Sequence, residues 1–217
     1  ECPIPEPPPY STSPDSEMYR EAMELIELKR ELTPEHKAIS LYWADNPGET
    51  ATPAGHWTAI ASQLTSQRGL SAEAAAKLFL VGSAAQADAF IATWGYKYQY
   101  NQIRPRTYIR RVIDPAWEPQ VPTPPFPEYP SGHSTQSAAA SVALQALLGD
   151  APFDDSTGIA IGHPVRRFAS FAEAAEEAGY SRLYGGIHFH SGKTGGKEVG
   201  LCIGTRAVER LRAAGIL

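Results

Sequence analysis

The stretch Phe126–His133, FPEYPSGH, joins two segments of opposite habit, and that junction limits what the chain can become. Before it, Asp114 to Pro130 is a proline-rich loop that can be neither helix interior nor central strand. After it, Ser134 to Leu148 is an Ala/Ser-rich helical run stopped by Gly149. Pro130 ends the loop, Ser131 is a natural N-cap, and Gly132 removes side-chain bulk. A helix that starts this way presents unpaired N–H groups and a partial positive charge, which suits it to hold an oxyanion. His133 stands beside that anion with a side chain able to carry a proton near neutral pH.

The rest of the chain reads as helices separated by Gly and Pro. Residues 1–16 hold six prolines and form an extended segment rather than a helix, leaving residues 17–217 as a single helical domain. Helices are expected over Glu17–Leu32, over Pro34–Ala44 behind Thr33, and from about Gly55 to Gln67. A further helix starts behind Ser71, bends around Gly82–Ala87, and ends near Arg104, because Pro105 biases the residue before it out of helical geometry. Asp150–Gly162 reads as loop. His163-Pro164 reads as the start of a helix that reaches Ala178 and stops at Gly179. Tyr180–Gly196 reads as glycine-rich loop and Lys197–Ala214 as the last helix. No strand is expected, so the fold class is an all-α bundle.

Composition removes several functions. A formal charge of −5 disfavours a nucleic-acid surface. No uninterrupted run of ~18 apolar residues suggests a membrane span. Cys2 and Cys202 are the only cysteines, so neither a disulfide framework nor a zinc spacing is present. Cys202 lies in an apolar run and reads as a core residue, with a Cys2–Cys202 bridge as the other reading. The chain begins at Glu1 rather than Met, which suggests a processed or partial protein, and a secreted or periplasmic location is the expectation.

Three short patterns carry chemistry. Lys97 and Arg104 stand seven apart beside Trp94 and Tyr98; on one helix they would share a face roughly 10 Å apart along the axis. Ser131, Gly132 and His133 form the helix start. Arg182 and His188 flank Gly185-Gly186, where glycines permit close backbone approach. His36 and His163 read as capping or surface residues, His56 as a residue that could approach the pocket, and His190 as near the site in sequence alone.

Together these patterns, K-x6-R-P at Lys97–Pro105, P-S-G-H at Pro130–His133 and S-R-x5-H at Ser181–His188, resemble the three-part signature of the type 2 phosphatidic acid phosphatase (PAP2) and vanadium-dependent haloperoxidase superfamily. The resemblance covers Lys97 to the C-terminus and implies a helical bundle. It implies that Lys97, Arg104 and Arg182 surround an oxyanion, that Ser131 and Gly132 donate hydrogen bonds, that His133 is the acid–base residue, and that His188 attacks phosphorus or coordinates vanadium. Phe126-Pro127-x-Tyr129 before PSGH is similar to the vanadium chloroperoxidase version, in which the residue at Phe126 borders the halide side of the pocket. Trp43–Trp57, WADNPGETATPAGHW, resembles bacterial haloperoxidase-like members.

The implied cofactor is vanadate and the implied substrates are hydrogen peroxide and halide, giving hypohalous acid. The alternatives are an acid phosphatase acting on a small phosphoester through a histidine nucleophile, and an oxyanion-binding protein without catalysis. One departure motivates the last. The superfamily carries an acidic residue four after the apical histidine, where this chain has Gly192, with His190, Ser191 or Glu198 as substitutes. The chain also looks short for the haloperoxidase branch, so an apolar surface covered by a homo-oligomer or a companion fragment is expected.

Overall fold

Local signals set most of the helix starts. In the computed structural model, which describes residues 2–48, 50 and 52–217, α1 (Glu17–Arg30) begins behind Ser16, whose hydroxyl accepts from Tyr19 N. A capping box between Thr33 and His36 opens α2 (Pro34–Tyr42). There follow α3 (Thr52–Gln67), α4 (Ala72–Tyr100) behind Ser71, α5 (Pro105–Val112), α6 (Gly132–Leu148) behind Ser131, α7 (Phe171–Tyr184) behind Ser170, and α8 (His190–Ala213). A two-stranded antiparallel hairpin, β1 (Phe153–Asp155) with β2 (Arg166–Phe168), pairs Phe153 with Phe168 and Asp155 with Arg166.

The helical bundle agrees with the sequence reading, and its details depart from it in several places. The hairpin replaces the expected loop and the expected helix from His163. Three-residue strands carry no readable alternation, and α7 starts only at Phe171. Gly82 does not break α4, which runs uninterrupted for 29 residues; a lone helical glycine costs only about 1 kcal/mol, too little to break a packed helix. That helix stops at Asn101, which adopts left-handed geometry at φ 46, and Arg104 instead precedes α5. Lys97 and Arg104 therefore do not share a helix face. Gly179 lies inside α7, and Gly192, Gly195 and Gly196 lie inside α8.

Those glycines are there for proximity. α6 is the central helix, with Ser134 to Ser141 buried on every side and α4, α7 and α8 packed around it. Its small side chains let α8 approach until a methyl group at Gly200 would lie 2.3 Å from the carbonyl oxygen of Thr135. Core clusters then fill the flanks. Trp43, Trp57, Ile60 and Leu64 pack on the hairpin phenylalanines Phe153 and Phe168, while Met18, Leu25, Tyr108, Trp117 and Phe189 pack together where α1 meets α5.

Cys2 and Cys202 form a disulfide, so Cys202 is a bridge residue rather than a plain core one. The N-terminal segment is strapped across the bundle by tyrosine hydroxyls: Tyr96 donates to the Cys2 carbonyl, Tyr129 to Pro5 and Tyr108 to Ser11. α4 has the length and apolar composition of a membrane-crossing helix; one of its faces packs on α6 and α8, and Leu80, Phe90, Ile91 and Tyr98 on it are exposed.

The close approach of α6 and α8 gives a direct test. Gly200→Ala should cost about 1–3 kcal/mol in urea unfolding, because the methyl meets backbone. Gly95→Ala, at an exposed helical position with no atom within 4 Å of the added carbon, should stabilise by up to about 1 kcal/mol.

Candidate active site

The site is assembled around a buried ammonium. Lys97 ends α4 fully buried, and its Nζ donates to the carbonyls of Pro127 (2.9 Å), Glu128 (2.8 Å) and Pro130 (2.6 Å). Burial, then the neighbouring Arg104, pushes Lys97 well below the usual lysine range. Three carbonyl acceptors nevertheless call for three N–H donors, which only the ammonium has. This cation folds the FPEYPSGH loop over itself. Ser131 N then donates to the Gly192 carbonyl (2.9 Å), docking the start of α6 on the first turn of α8.

Arg104 reaches the same loop from the front of α5. Its Nε donates to the Phe126 carbonyl (2.8 Å) and its Nη1 to the Ile187 carbonyl (2.8 Å), while Nη1 also lies 3.1 Å from His188 Nε2. Its Nη2 is buried with no partner. Phe126 lies under both cations, 4.9 Å from the guanidinium carbon of Arg104 and 5.3 Å from Lys97 Nζ, with Trp94 against its ring. Arg182 projects from α7, donating through Nε to Ser181 Oγ and through Nη2 to the carbonyls of Ser40 (3.2 Å) and Trp43 (2.6 Å). Burial lowers Arg104 and Arg182 to about 10, so both stay charged at neutral pH.

Two histidines complete the set. His133, on the first turn of α6, is hydrogen-bonded to the Trp43 backbone, and its Nε2 is buried without a partner, 3.7 Å from Asp45 Oδ2. Burial, followed by the charge of Arg182, holds it well below the usual histidine range. His188 is lowered by burial and then by Arg104, Lys97 and Arg182. Both rings are neutral near pH 7: His133 Nε2 has no partner, and the Nε2 lone pair of His188 faces the Nη1 donor of Arg104. Two of these cations and both rings therefore lie within electrostatic reach of one another, although they come from four separate places in the chain.

The acid that Gly192 lacks is supplied by Glu128. Its Oε1 lies 2.5 Å from His188 Nδ1 and accepts from Phe189 N at 3.1 Å. A side chain at position 192 would collide with it: an added Cβ falls 2.2 Å from Glu128 Oε1. The carboxylate against His188 comes from the loop before Ser131 rather than from position 192, and the glycine there makes room for it. Burial pushes Glu128 up to about 7 against the pull of Arg104 and Lys97. Its short contact to His188 holds one proton between Oε1 and Nδ1 and leaves Nε2 with its lone pair. The expected substitutes do other work: His190 pairs with Glu24, Ser191 donates to Glu21, and Glu198 is exposed.

Two functional candidates escaped the sequence reading. Glu128 is an acid in an otherwise apolar stretch of FPEYPSGH, a signal that was in plain view. Asp45 lies within WADNPGETATPAGHW, and only the fold carries it to His133. An oxyanion fits what remains open. Arg104 Nη2 is an unpaired buried donor, the Ser131 hydroxyl accepts from Ser134 N and keeps its own proton, and the first N–H groups of α6 point out of the helix. Vanadate, as an oxyanion with a coordination position for an imidazole nitrogen, matches this donor set.

Glu128→Gln should weaken vanadate binding 10–100-fold in a calorimetric titration, as loss of a carboxylate behind a ligating imidazole does. Gly192→Ala should do the same by displacing Glu128, and the double substitution Glu128→Ala with Gly192→Asp should recover part of the loss. Nitrogen-15 NMR should find His133 and His188 neutral at pH 6; a charged ring there would contradict the burial argument.

Known proteins share the sequence pattern and the helical bundle. A family model described as the VCPO second helical-bundle domain matches residues 77–214. The vanadium chloroperoxidase of Curvularia inaequalis is 24% identical over 229 residues, covering 77% of this chain and 38% of that protein. The crystal structure of the first bacterial vanadium-dependent iodoperoxidase superposes with a TM-score of 0.93 at 40% identity, over 96% of this chain and 53% of that one. A holo-type bacterial vanadium-dependent chloroperoxidase shares the fold, with a TM-score of 0.73 at 20% identity, over 90% of this chain and 47% of that one. The chain thus spans about half the length of the solved relatives and less of the fungal enzyme. With the family model matching well over half of its residues, the chain belongs to the helical-bundle family of the vanadium chloroperoxidases, within the vanadium haloperoxidase superfamily.

Proposed function

We infer that the chain is the vanadate-holding unit of a haloperoxidase-like enzyme. The observation that carries this reading is the pair of unpartnered buried nitrogens, Arg104 Nη2 and His133 Nε2, left among three buried cations. Bound at His188 Nε2, vanadate would supply the electrophilic centre at which hydrogen peroxide oxidises a halide to hypohalous acid.

The chain's own residues provide the setting. Lys97, Arg104 and Arg182 neutralise oxygen charge in a site where water does not screen them. The Ser131 hydroxyl and the Gly132 N–H donate to oxygens at the head of α6. Neutral His133 takes a proton at Nε2 and returns it, with Asp45 Oδ2 3.7 Å from that same nitrogen to stabilise the charged ring. Phe126, stacked under both cations, borders the halide side and excludes water. The apolar face of α4 calls for a cover, either the remaining length seen in the relatives or a second copy. The Cys2–Cys202 bridge supports an oxidising compartment, periplasmic or extracellular.

One observation favours a second reading. Glu128 against His188 Nδ1 makes Nε2 a competent nucleophile, which hydrolysis of a small phosphoester needs. The same observation removes the motive for a catalytically inert protein, which was the vacancy at Gly192.

Full-length protein loaded with vanadate should halogenate an activated diketone when given peroxide with iodide, bromide or chloride. His133→Ala should slow turnover by about 10²–10⁴-fold. Phosphate release from an aryl phosphate, inhibited by vanadate, in place of halogenation would favour the second reading. Tight vanadate binding with neither activity would defeat both.

A further inference from the structure

His56 is a buried histidine that the oxyanion site itself does not use. It lies on α3, stacked on Trp43 with ring centroids 4.6 Å apart. Both of its nitrogens are engaged: Nδ1 is 3.0 Å from Asp45 Oδ1, and Nε2 is 2.9 Å from Asp155 Oδ2. Both partners are buried carboxylates, which accept hydrogen bonds and do not donate them when ionised. Both ring nitrogens must therefore donate, and the ring is an imidazolium. Burial pulls its proton affinity down, but the two carboxylates prevail and bring it to about 9.

The three residues differ in how firmly they are held. Asp155 belongs to β1, and its Oδ1 accepts from Thr157 N (3.0 Å) and Thr157 Oγ1 (2.7 Å). Asp45 lies in the α2–α3 connection with a left-handed backbone, φ 49. Its Oδ1 is taken by His56, and its Oδ2 has no hydrogen-bond partner and faces the unpartnered Nε2 of His133 at 3.7 Å. Asp155 is the fixed post and His56 the strut that sets where Asp45 stands.

We propose that His56 is a positioning residue for His133: bridging Asp155 to Asp45, it fixes the free oxygen of Asp45 against His133 Nε2 and cancels part of the negative charge that the two carboxylates would otherwise present there. The proposal rests on the reading of His133 as the acid–base group. Around His133 stand Asp45 from the loop, Arg182 from α7, Lys97 from α4, His56 from α3 and His188 from the front of α8. Around His56 stand Asp45, Asp155 and Tyr42 of α2, and His163 lines the same adjoining cavity of about 260 Å³. Of the two substitutions below, one removes a charge from that set and the other keeps it, and the cavity gives a longer cation room.

Histidine NMR on vanadate-free protein, full chain, provides the test. In the wild type at pH 7.5, His56 should show both ring nitrogens protonated; a single neutral tautomer overturns the proposal without any variant. His56→Gln leaves both carboxylates uncompensated and should raise the titration midpoint of His133 by about one pH unit. His56→Arg keeps a bridging cation and should leave that midpoint where the wild type has it. A wild-type midpoint in His56→Gln, or an equal shift in His56→Arg, overturns the proposal, since loss of packing alone would not follow charge. None of these measurements uses turnover. A protein with these titrations and no halogenation refutes the functional reading alone, and one that halogenates with an unmoved His133 midpoint refutes this inference alone.

Discussion

Everything at the oxyanion site depends on one ammonium inside the protein. Removing Lys97 from water is expensive, and the three carbonyls of Pro127, Glu128 and Pro130 are what make it bearable. The dependence runs both ways. A proline-rich loop has few N–H groups and an excess of carbonyls that must find donors. Lys97 supplies three such donors at one point, and the loop takes its shape from them. Ser131 is thereby placed at the head of α6, and Glu128 is placed against His188.

The site then balances its charges in two separate layers. Near the oxyanion, Lys97, Arg104 and Arg182 outnumber Glu128, so the pocket favours an anion. Behind His133, the carboxylates Asp45 and Asp155 outnumber His56. A neutral imidazole lies between a cationic layer and an anionic one, a placement that suits the acid–base role proposed for it.

What the sequence revealed follows the range of the interactions involved. Helix starts behind Thr33, Ser71 and Ser131 were legible because a cap acts within three residues. Lys97, Arg104, Ser131, Gly132, His133, Arg182 and His188 stood out through the resemblance that their joint spacing carries, and Phe126 through its neighbours; the fold brings them together. Gly179 was misread as a helix stop because glycine serves two purposes: here it lies inside α7, where an added Cβ would fall 3.3 Å from Lys193 and Ser134 atoms. Glu128 was visible as a lone acid, but its role was not, because its partner lies 60 residues away. The hairpin was illegible because its hold comes from Phe153 and Phe168 meeting Phe171 and Trp43, which no three-residue window contains.

The N-terminal strap has a topological side. Cys2 and Cys202 are joined across 200 residues, so residues 2–202 form one covalent ring. A single backbone cut at any position within that ring, even in the loops around the hairpin, would open the circle without releasing a piece. The strap lies across the ring's interior through the hydroxyls of Tyr96, Tyr108 and Tyr129, so the join is sewn to the bundle at several stitches rather than hanging free. A nicked molecule would keep α4, α6 and α8 tethered to one another, and the oxyanion site would persist in a chain whose linear order had been broken.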